Sequence, residues 1–161
     1  MTVSDFTSLT TEQTWADDGP RGKTVVTYAI NETASSYWAS FHADETGFIE
    51  SFSSAQPYED VVDAAFAQWE SAGNVQLVRV EGPAQINLGL FDLDLSSSEG
   101  FAGFAYFPAI GSREGTIGGD IFVDYRSADS LDLWLHEIGH SLGLAVTSRV
   151  IVRPLLEECR L

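Results

Sequence analysis

The sequence predicts one domain of the α+β or α/β class, in which a sheet packs against helices. The chain has 161 residues, and a chain of this size buries roughly two thirds of its surface when it folds. Its residues are 44% hydrophobic and 12% aromatic, which argues against disorder. Runs of β-branched residues also alternate with helical patterns, so both kinds of element are expected around one core.

Five segments are predicted as strands because β-branched, aromatic or alternating apolar residues dominate them. Gly103 lies within the fourth of these segments and is expected to allow a close approach of the backbone. Residues 34–55 are expected to form a long connection, and residues 92–99 a solvated loop rather than a calcium loop. The predicted strands are 23–30, 75–80, 84–91, 100–108 and 119–125.

A first long helix is expected to open at Pro57 and to end at Gly73. Pro is favoured in the first helical turn, where Glu59 and Asp60 also suit the positive end of the helix dipole. The helix is expected to pack on the sheet through an apolar stripe, formed by Val62, Ala65, Phe66 and Trp69.

The most specific pattern is the segment 131–144, LDLWLHEIGHSLGL. His136 and His140 are four residues apart, so on a helix their side chains lie on one face. Glu137 lies between them, close enough in space to reach a water held beside the imidazoles. This H-E-x-x-H pattern predicts a Zn²⁺ site with two imidazole ligands and a carboxylate that acts as general base.

The alternative is a surface helix with two unconnected histidines and a glutamate. The continuation argues against it, because Gly143 extends the pattern to H-E-x-x-H-x-x-G, in which a glycine lets the chain turn out of the helix.

Residues 136–144 resemble the active-site helix of metzincin endopeptidases, closest to the serralysin and matrixin branch. The resemblance covers about residues 20–144 and implies a zinc-dependent metalloendopeptidase, with His136 and His140 as metal ligands and Glu137 as the catalytic base. It also implies a zincin-like α+β fold, in which a twisted, mixed, mostly parallel sheet carries a backing helix and an active-site helix. The strand at 100–108 would then be an edge strand that lies antiparallel to an extended peptide substrate.

The sequence departs from the family after Gly143. The family's third zinc-binding histidine falls on Val146, and the methionine turn is absent because the only Met is Met1. Residues 145–161 hold three of the eight Lys and Arg residues and the only Cys. We expect them to be a foreign or shifted-frame end on a truncated protease domain, with a natural but diverged tail as the alternative. Three residues of this tail could supply a third donor: Glu157, Glu158 and Cys159.

The predicted organisation is therefore an N-terminal arm at 1–22, a metzincin-like upper subdomain at 23–144 and an atypical tail at 145–161. A net charge of −16 disfavours nucleic acid as a partner, because no basic patch neutralises phosphates. No segment reaches transmembrane length, and no secretory signal peptide is visible. One cysteine excludes an internal disulfide. An extracellular location is implied only by the resemblance.

The expected function is hydrolysis of peptide bonds in a protein or peptide substrate, impaired by the missing third ligand. The alternative is a non-catalytic protease remnant that binds extended peptides. A third hypothesis, a structural helix with accidental histidines, predicts no stoichiometric zinc.

Overall fold

The computed structural model of the chain describes residues 15, 23–43, 47–95, 102–108 and 115–145. It contains five strands, which are β1 Thr24–Ile30, β2 Val75–Arg79, β3 Ile86–Phe91, β4 Gly103–Ala105 and β5 Ile121–Asp124. It also contains three α-helices, which are α1 Trp38–Phe41, α2 Glu59–Ala72 and α3 Leu131–Ser141. Val146 and the rest of the predicted tail lie outside the described residues, as does the predicted arm apart from Trp15.

The five strands form one mixed, mostly parallel sheet in the order β2-β1-β3-β5-β4. The β1–β2, β1–β3 and β3–β5 pairs are parallel, and β4 alone runs antiparallel to its neighbour β5 at one edge. The predicted α+β class and mostly parallel sheet are therefore confirmed. All five predicted strands exist, but β4 is only three residues long where nine were expected.

Both long helices contribute to the core that covers one face of the sheet. Alternate residues of the strands point to this face, which is why a period of two is visible in the sequence of β3. Trp69 of the predicted α2 stripe is partly buried, while the other three members are fully buried. The main core on this face contains Val26, Tyr28, Leu77, Ile86, Leu88, Leu90, Ile121, Val123, Val62, Phe66, Trp134 and Ile138.

A cluster of large apolar side chains covers the other face of the sheet. Its central members are Trp38, Phe48, Phe91, Leu93 and Phe122, all of which are buried. Two expectations need correction here. Residues 34–43 and 47–55 form a structured layer that includes α1 and the short 3₁₀ helix Ile49–Ser51, because their aromatic residues pack on the sheet. The loop after β3 is likewise not fully solvated, because Leu93 is only 1% exposed.

The predicted helix at Pro57 begins as the 3₁₀ turn Gln56–Tyr58, and α2 follows from Glu59. This boundary suits proline, which has no N–H to donate and is tolerated in a first turn. Gly73 ends α2 as expected. Among the helices of the described residues, none is long and apolar enough to cross a membrane.

A buried carboxyl group, Asp120, joins three segments of the fold. Its Oδ2 accepts hydrogen bonds from the Tyr37 hydroxyl at 2.7 Å and from Trp38 Nε1 at 2.5 Å. Its Oδ1 accepts from the backbone N–H of Asn87 at 2.9 Å. Asp120 thus ties the start of α1 to β3 and β5, and its oxygens are satisfied although it is fully buried.

We expect Asp120 to make the stability of the fold depend on pH. Burial raises the pKa of Asp120 to about 7, although its hydrogen-bond donors oppose the shift. The native state therefore keeps a proton that the unfolded chain releases near pH 4, so stability should fall as pH rises from about 4 to about 7, by up to about 4 kcal/mol. Urea unfolding across this range measures the effect. Asp120→Asn should remove this part of the slope, and equal slopes in both proteins would contradict the assignment.

Candidate metal and catalytic site

The helix α3 begins where the sequence predicts, because two local side chains fix its start. Ser130 caps the helix, and its hydroxyl accepts from the backbone N–H of Leu133 at 3.3 Å. The indole of Trp134 donates to the carbonyl of Ala128 at 2.8 Å and is fully buried. These contacts fix the position at which α3 begins. The helix ends at Ser141, just before Gly143, where the sequence predicts that the chain turns out of the helix.

The two histidines of α3 converge on one point. Nε2 of His136 and Nε2 of His140 lie 3.0 Å apart, and the ring planes are nearly perpendicular at 87°. Two nitrogen ligands of a tetrahedral zinc, each about 2.05 Å from the metal, would be separated by about 3.3 Å. The imidazoles are therefore within a few tenths of an ångström of the separation that a shared zinc requires.

A backbone carbonyl fixes the tautomer of His140. Nδ1 of His140 lies 2.9 Å from the carbonyl oxygen of Leu144. The carbonyl can only accept, so Nδ1 carries the hydrogen, and in the neutral ring Nε2 keeps a lone pair for a metal. Gly143 makes this contact possible because its φ of 93° turns the chain back over the helix end. The ring of Phe107 also meets the His140 ring edge to face, with centroids 5.4 Å apart.

His136 is held in its neutral form. Burial, and then the neighbouring His140, lower the pKa of His136 below its usual value. A metal ligand must be unprotonated, so this shift favours coordination at neutral pH.

The carboxyl group of Glu137 is buried without a full set of hydrogen bonds. It is 3% exposed, and its Oε2 has no hydrogen-bond partner among the described residues. Burial raises the pKa of Glu137 to about 8. An orphaned buried carboxyl is costly to stability and is uncommon outside functional sites.

The backbone of β4 lies directly against this carboxyl group. A Cβ atom placed on Gly103 would be 3.2 Å from Glu137 Cγ and 3.3 Å from Glu137 Oε1. It would also be 3.2 Å from the carbonyl oxygen of Phe122. The close approach predicted at Gly103 is thus confirmed, and the group that approaches is the side chain of Glu137.

The residues present fit part of a zinc site. Two convergent imidazoles suit the chemistry of zinc, and the partnerless Glu137 Oε2 suits a carboxylate that would bond to a water beside the metal. A group of three His, Cys, Asp or Glu side chains able to hold a metal does not occur within the described ranges. Val146, where the family carries its third histidine, and the possible donors of the tail are not among those ranges.

Two contacts to α3 were not predicted from the sequence. The indole of Trp15 donates to the carbonyl of Ser141 at 2.9 Å, and the indole of Trp69 donates to the carbonyl of Leu135 at 2.9 Å. Tryptophan is a rare residue type in proteins, and its presence was the only available signal of such contacts. No periodic pattern in the sequence relates Trp15 or Trp69 to α3. Both indoles reach carbonyls that neighbour a histidine of the site.

A scan against protein-family models finds no match to this chain. A search of curated proteins finds no significant match either. The resemblance to metzincins therefore depends on the residues of α3 and on the order of the elements.

We expect Gly103→Ala to destabilise the protein by about 1–3 kcal/mol, because the new methyl group overpacks the buried Glu137 side chain. Urea unfolding measures the loss. Gly73→Ala is the matched control, since a Cβ at Gly73 meets only ordinary contacts of 3.4 Å and 3.6 Å.

The same substitution should cost less in a Glu137→Ala background, where Cγ and the carboxylate are absent. A coupling free energy of at least about 0.5 kcal/mol in this double-mutant cycle would support the contact. Additive effects would show that Glu137 does not set the limit at Gly103.

Proposed function

We propose that this chain is a zinc-dependent metalloendopeptidase domain of the metzincin type, closest to the serralysin and matrixin branch. One observation carries the proposal. Two imidazole Nε2 atoms converge to 3.0 Å on α3, while the carboxyl group between them in sequence is buried and partnerless. A structural helix with accidental histidines does not account for the second feature, because a buried carboxyl oxygen without a partner costs stability.

In this proposal His136 and His140 hold the zinc ion, each through Nε2. When bound, zinc polarises the substrate carbonyl and acidifies a water molecule. The hydrogen bond from His140 Nδ1 to the Leu144 carbonyl holds that ring in the tautomer that coordinates. The lowered pKa of His136 keeps the other ring neutral.

Glu137 is the general base. Its carboxyl group has a free oxygen to receive a proton from water, and burial excludes bulk solvent from it. Burial alone places the pKa of Glu137 at about 8, which is close to neutral pH. A nearby cation would lower that pKa and favour the carboxylate, which is the form that accepts a proton.

The substrate is a protein or peptide in an extended conformation. β4 is at the edge of the sheet and runs antiparallel to β5. An edge strand offers backbone N–H and C=O groups to which a peptide can add as a further strand. Because Gly103 touches Glu137, a peptide bound along β4 would pass beside the general base. The excess of negative charge supports the expectation that nucleic acid is not a partner.

Val146 at the place of the third ligand predicts weak retention of the metal. Two imidazoles hold a metal less firmly than three protein ligands, and catalytic zinc sites normally have three. We therefore propose an impaired enzyme, with the tail residues Glu157, Glu158 and Cys159 as possible third donors. The extracellular location is proposed only because proteases of this type are commonly exported.

The incomplete ligand set also favours a second candidate. A protein that retains β4 and α3 without firm metal binding could grip extended peptides without cleaving them. The two functions differ in what Glu137 does, because binding along an edge strand depends on backbone groups and needs no general base.

We expect Glu137→Gln to abolish most turnover while zinc uptake is unchanged, because the amide cannot accept the proton. A loss of about 100-fold or more in kcat is expected for removal of a general base. Cleavage of casein and metal content after dialysis are the two measurements. In contrast, His136→Ala and His140→Ala should each lose zinc as well as turnover.

Asp132→Ala is the control, since Asp132 is an exposed carboxyl group in the first turn of the same helix. It should keep both properties. A wild-type chain that binds an extended peptide, takes up no zinc and cleaves nothing would favour the second candidate and contradict the first.

We expect Val146→His to increase the affinity for zinc by more than about tenfold, because a third imidazole would complete the usual ligand set. Competition with a chromophoric chelator measures the affinity, and casein cleavage should increase with it. Val146→Ala is the matched control. If the histidine changed neither zinc uptake nor cleavage, the missing ligand would not be the defect.

A further inference from the structure

The end of α3 needs a donor from a distant part of the chain. The last four carbonyl groups of an α-helix have no partner within the helix. In α3 the first three are satisfied locally. The backbone N–H of Leu142 donates to Ile138, that of Leu144 to Gly139 and that of Gly143 to His140. The fourth, the carbonyl of Ser141, accepts from Trp15 Nε1, which is 126 positions away in the sequence.

Trp15 is itself held in place by the sheet. It is 8% exposed and belongs to the main core. Its six-membered ring lies over Gly119, just before β5, where a Cβ atom would come within 2.5 Å of Trp15 Cζ2. Gly119 has a φ of 92°, so the backbone there also favours glycine. The indole thus bridges the start of β5 and the end of α3.

The carbonyl that Trp15 binds begins the turn that orients His140. Three residues after Ser141, the carbonyl of Leu144 accepts the Nδ1 hydrogen of His140 at 2.9 Å. The same turn is closed by the N–H of Leu144, which donates to Gly139 at 2.9 Å. Trp15 therefore fixes one end of a four-residue turn, and the other end fixes the tautomer of His140.

We propose that Trp15 is a positioning residue for His140, acting through the turn at 141–144. This inference rests on the proposed metal site, because the orientation of the His140 Nε2 lone pair affects function only if that atom coordinates a metal. Outer partners of metal ligands typically change metal affinity by about 10- to 100-fold when they are removed. The indole N–H of Trp15 acts one step further from the metal, through the turn at 141–144 that carries the Leu144 carbonyl.

The test compares Trp15→Phe with Trp69→Phe. Both substitutions remove one indole N–H from a carbonyl of α3. The Leu135 carbonyl that Trp69 binds is inside the helix and keeps the helical N–H of residue 139 as a donor. The Ser141 carbonyl is at the helix end and loses the donor that caps it. Trp69→Phe is therefore the matched control.

Cobalt binding, followed by visible absorption, gives the first measurement. Trp15→Phe should weaken Co²⁺ binding by about tenfold or more, and Trp69→Phe by less than about twofold. The second measurement uses ¹⁵N correlations of the histidine rings in the metal-free protein at alkaline pH. The chain has three histidines, so the His140 ring can be followed individually. In the wild type and in Trp69→Phe, the His140 ring should carry its hydrogen on Nδ1. In Trp15→Phe, the ring should exchange between the Nδ1–H and Nε2–H tautomers.

If Trp15→Phe keeps both the cobalt affinity and the Nδ1 tautomer of the wild type, Trp15 only packs in the core and the inference is wrong. If the wild type binds no cobalt, the proposed function fails, whereas the tautomer of His140 still decides the role of Trp15. Should Trp15→Phe not fold, 3-benzothienylalanine at position 15 replaces the N–H by sulfur in a ring of the same shape. It is then judged by the same two measurements.

Discussion

The packing of α3 against its neighbours is the constraint on which the site depends. A spacing of four residues brings two imidazoles to one face, but only a helix with a fixed rotation aims that face at a particular place. Here the rotation is set by buried apolar residues, Trp134 and Ile138, on the side that meets α2 and the sheet. Indole donors at the beginning, middle and end of α3 then fix its position along its own axis. The convergence of His136 and His140 follows from this packing.

Two of the buried carboxyl groups in the described part of the chain, Asp120 and Glu137, differ in how their burial is compensated. Asp120 and Glu137 are both removed from water, and burial raises the pKa of each. The oxygens of Asp120 are matched by donors from Tyr37, Trp38 and Asn87, so the group serves to join segments. Glu137 has an oxygen without a partner among the described residues, so the cost of its burial is not offset by donors in the same way. Proteins keep such groups where function requires them.

Much of the sheet could be predicted from the sequence because local patterns encode it. Alternation in β3 and the β-branched run in β1 reflect which faces are buried, and the H-E-x-x-H spacing determines which side chains of α3 share a face. The layer over the second face could not be predicted, since its aromatic residues at Trp38 and Phe48 follow neither a helical nor a strand period. The hydrogen bond from Trp15 to Ser141 was also inaccessible, because it joins residues far apart in the chain.

The geometry of the proposed site and its affinity for a metal depend on different residues. The Nε2 atoms of His136 and His140 lie 3.0 Å apart, and the contacts that position α3 come from the core and from the indole donors. The hydrogen bond from His140 Nδ1 to the Leu144 carbonyl also restricts the His140 side chain. The conformational entropy of this ring is therefore lost on folding and not on coordination. A third ligand would then contribute mainly its own bond to the metal, and it would not need to reorganise α3. A chain with Val146 at the proposed third-ligand position can therefore retain this arrangement, because the contacts that hold His136 and His140 in place come from the core and from the turn at 141–144.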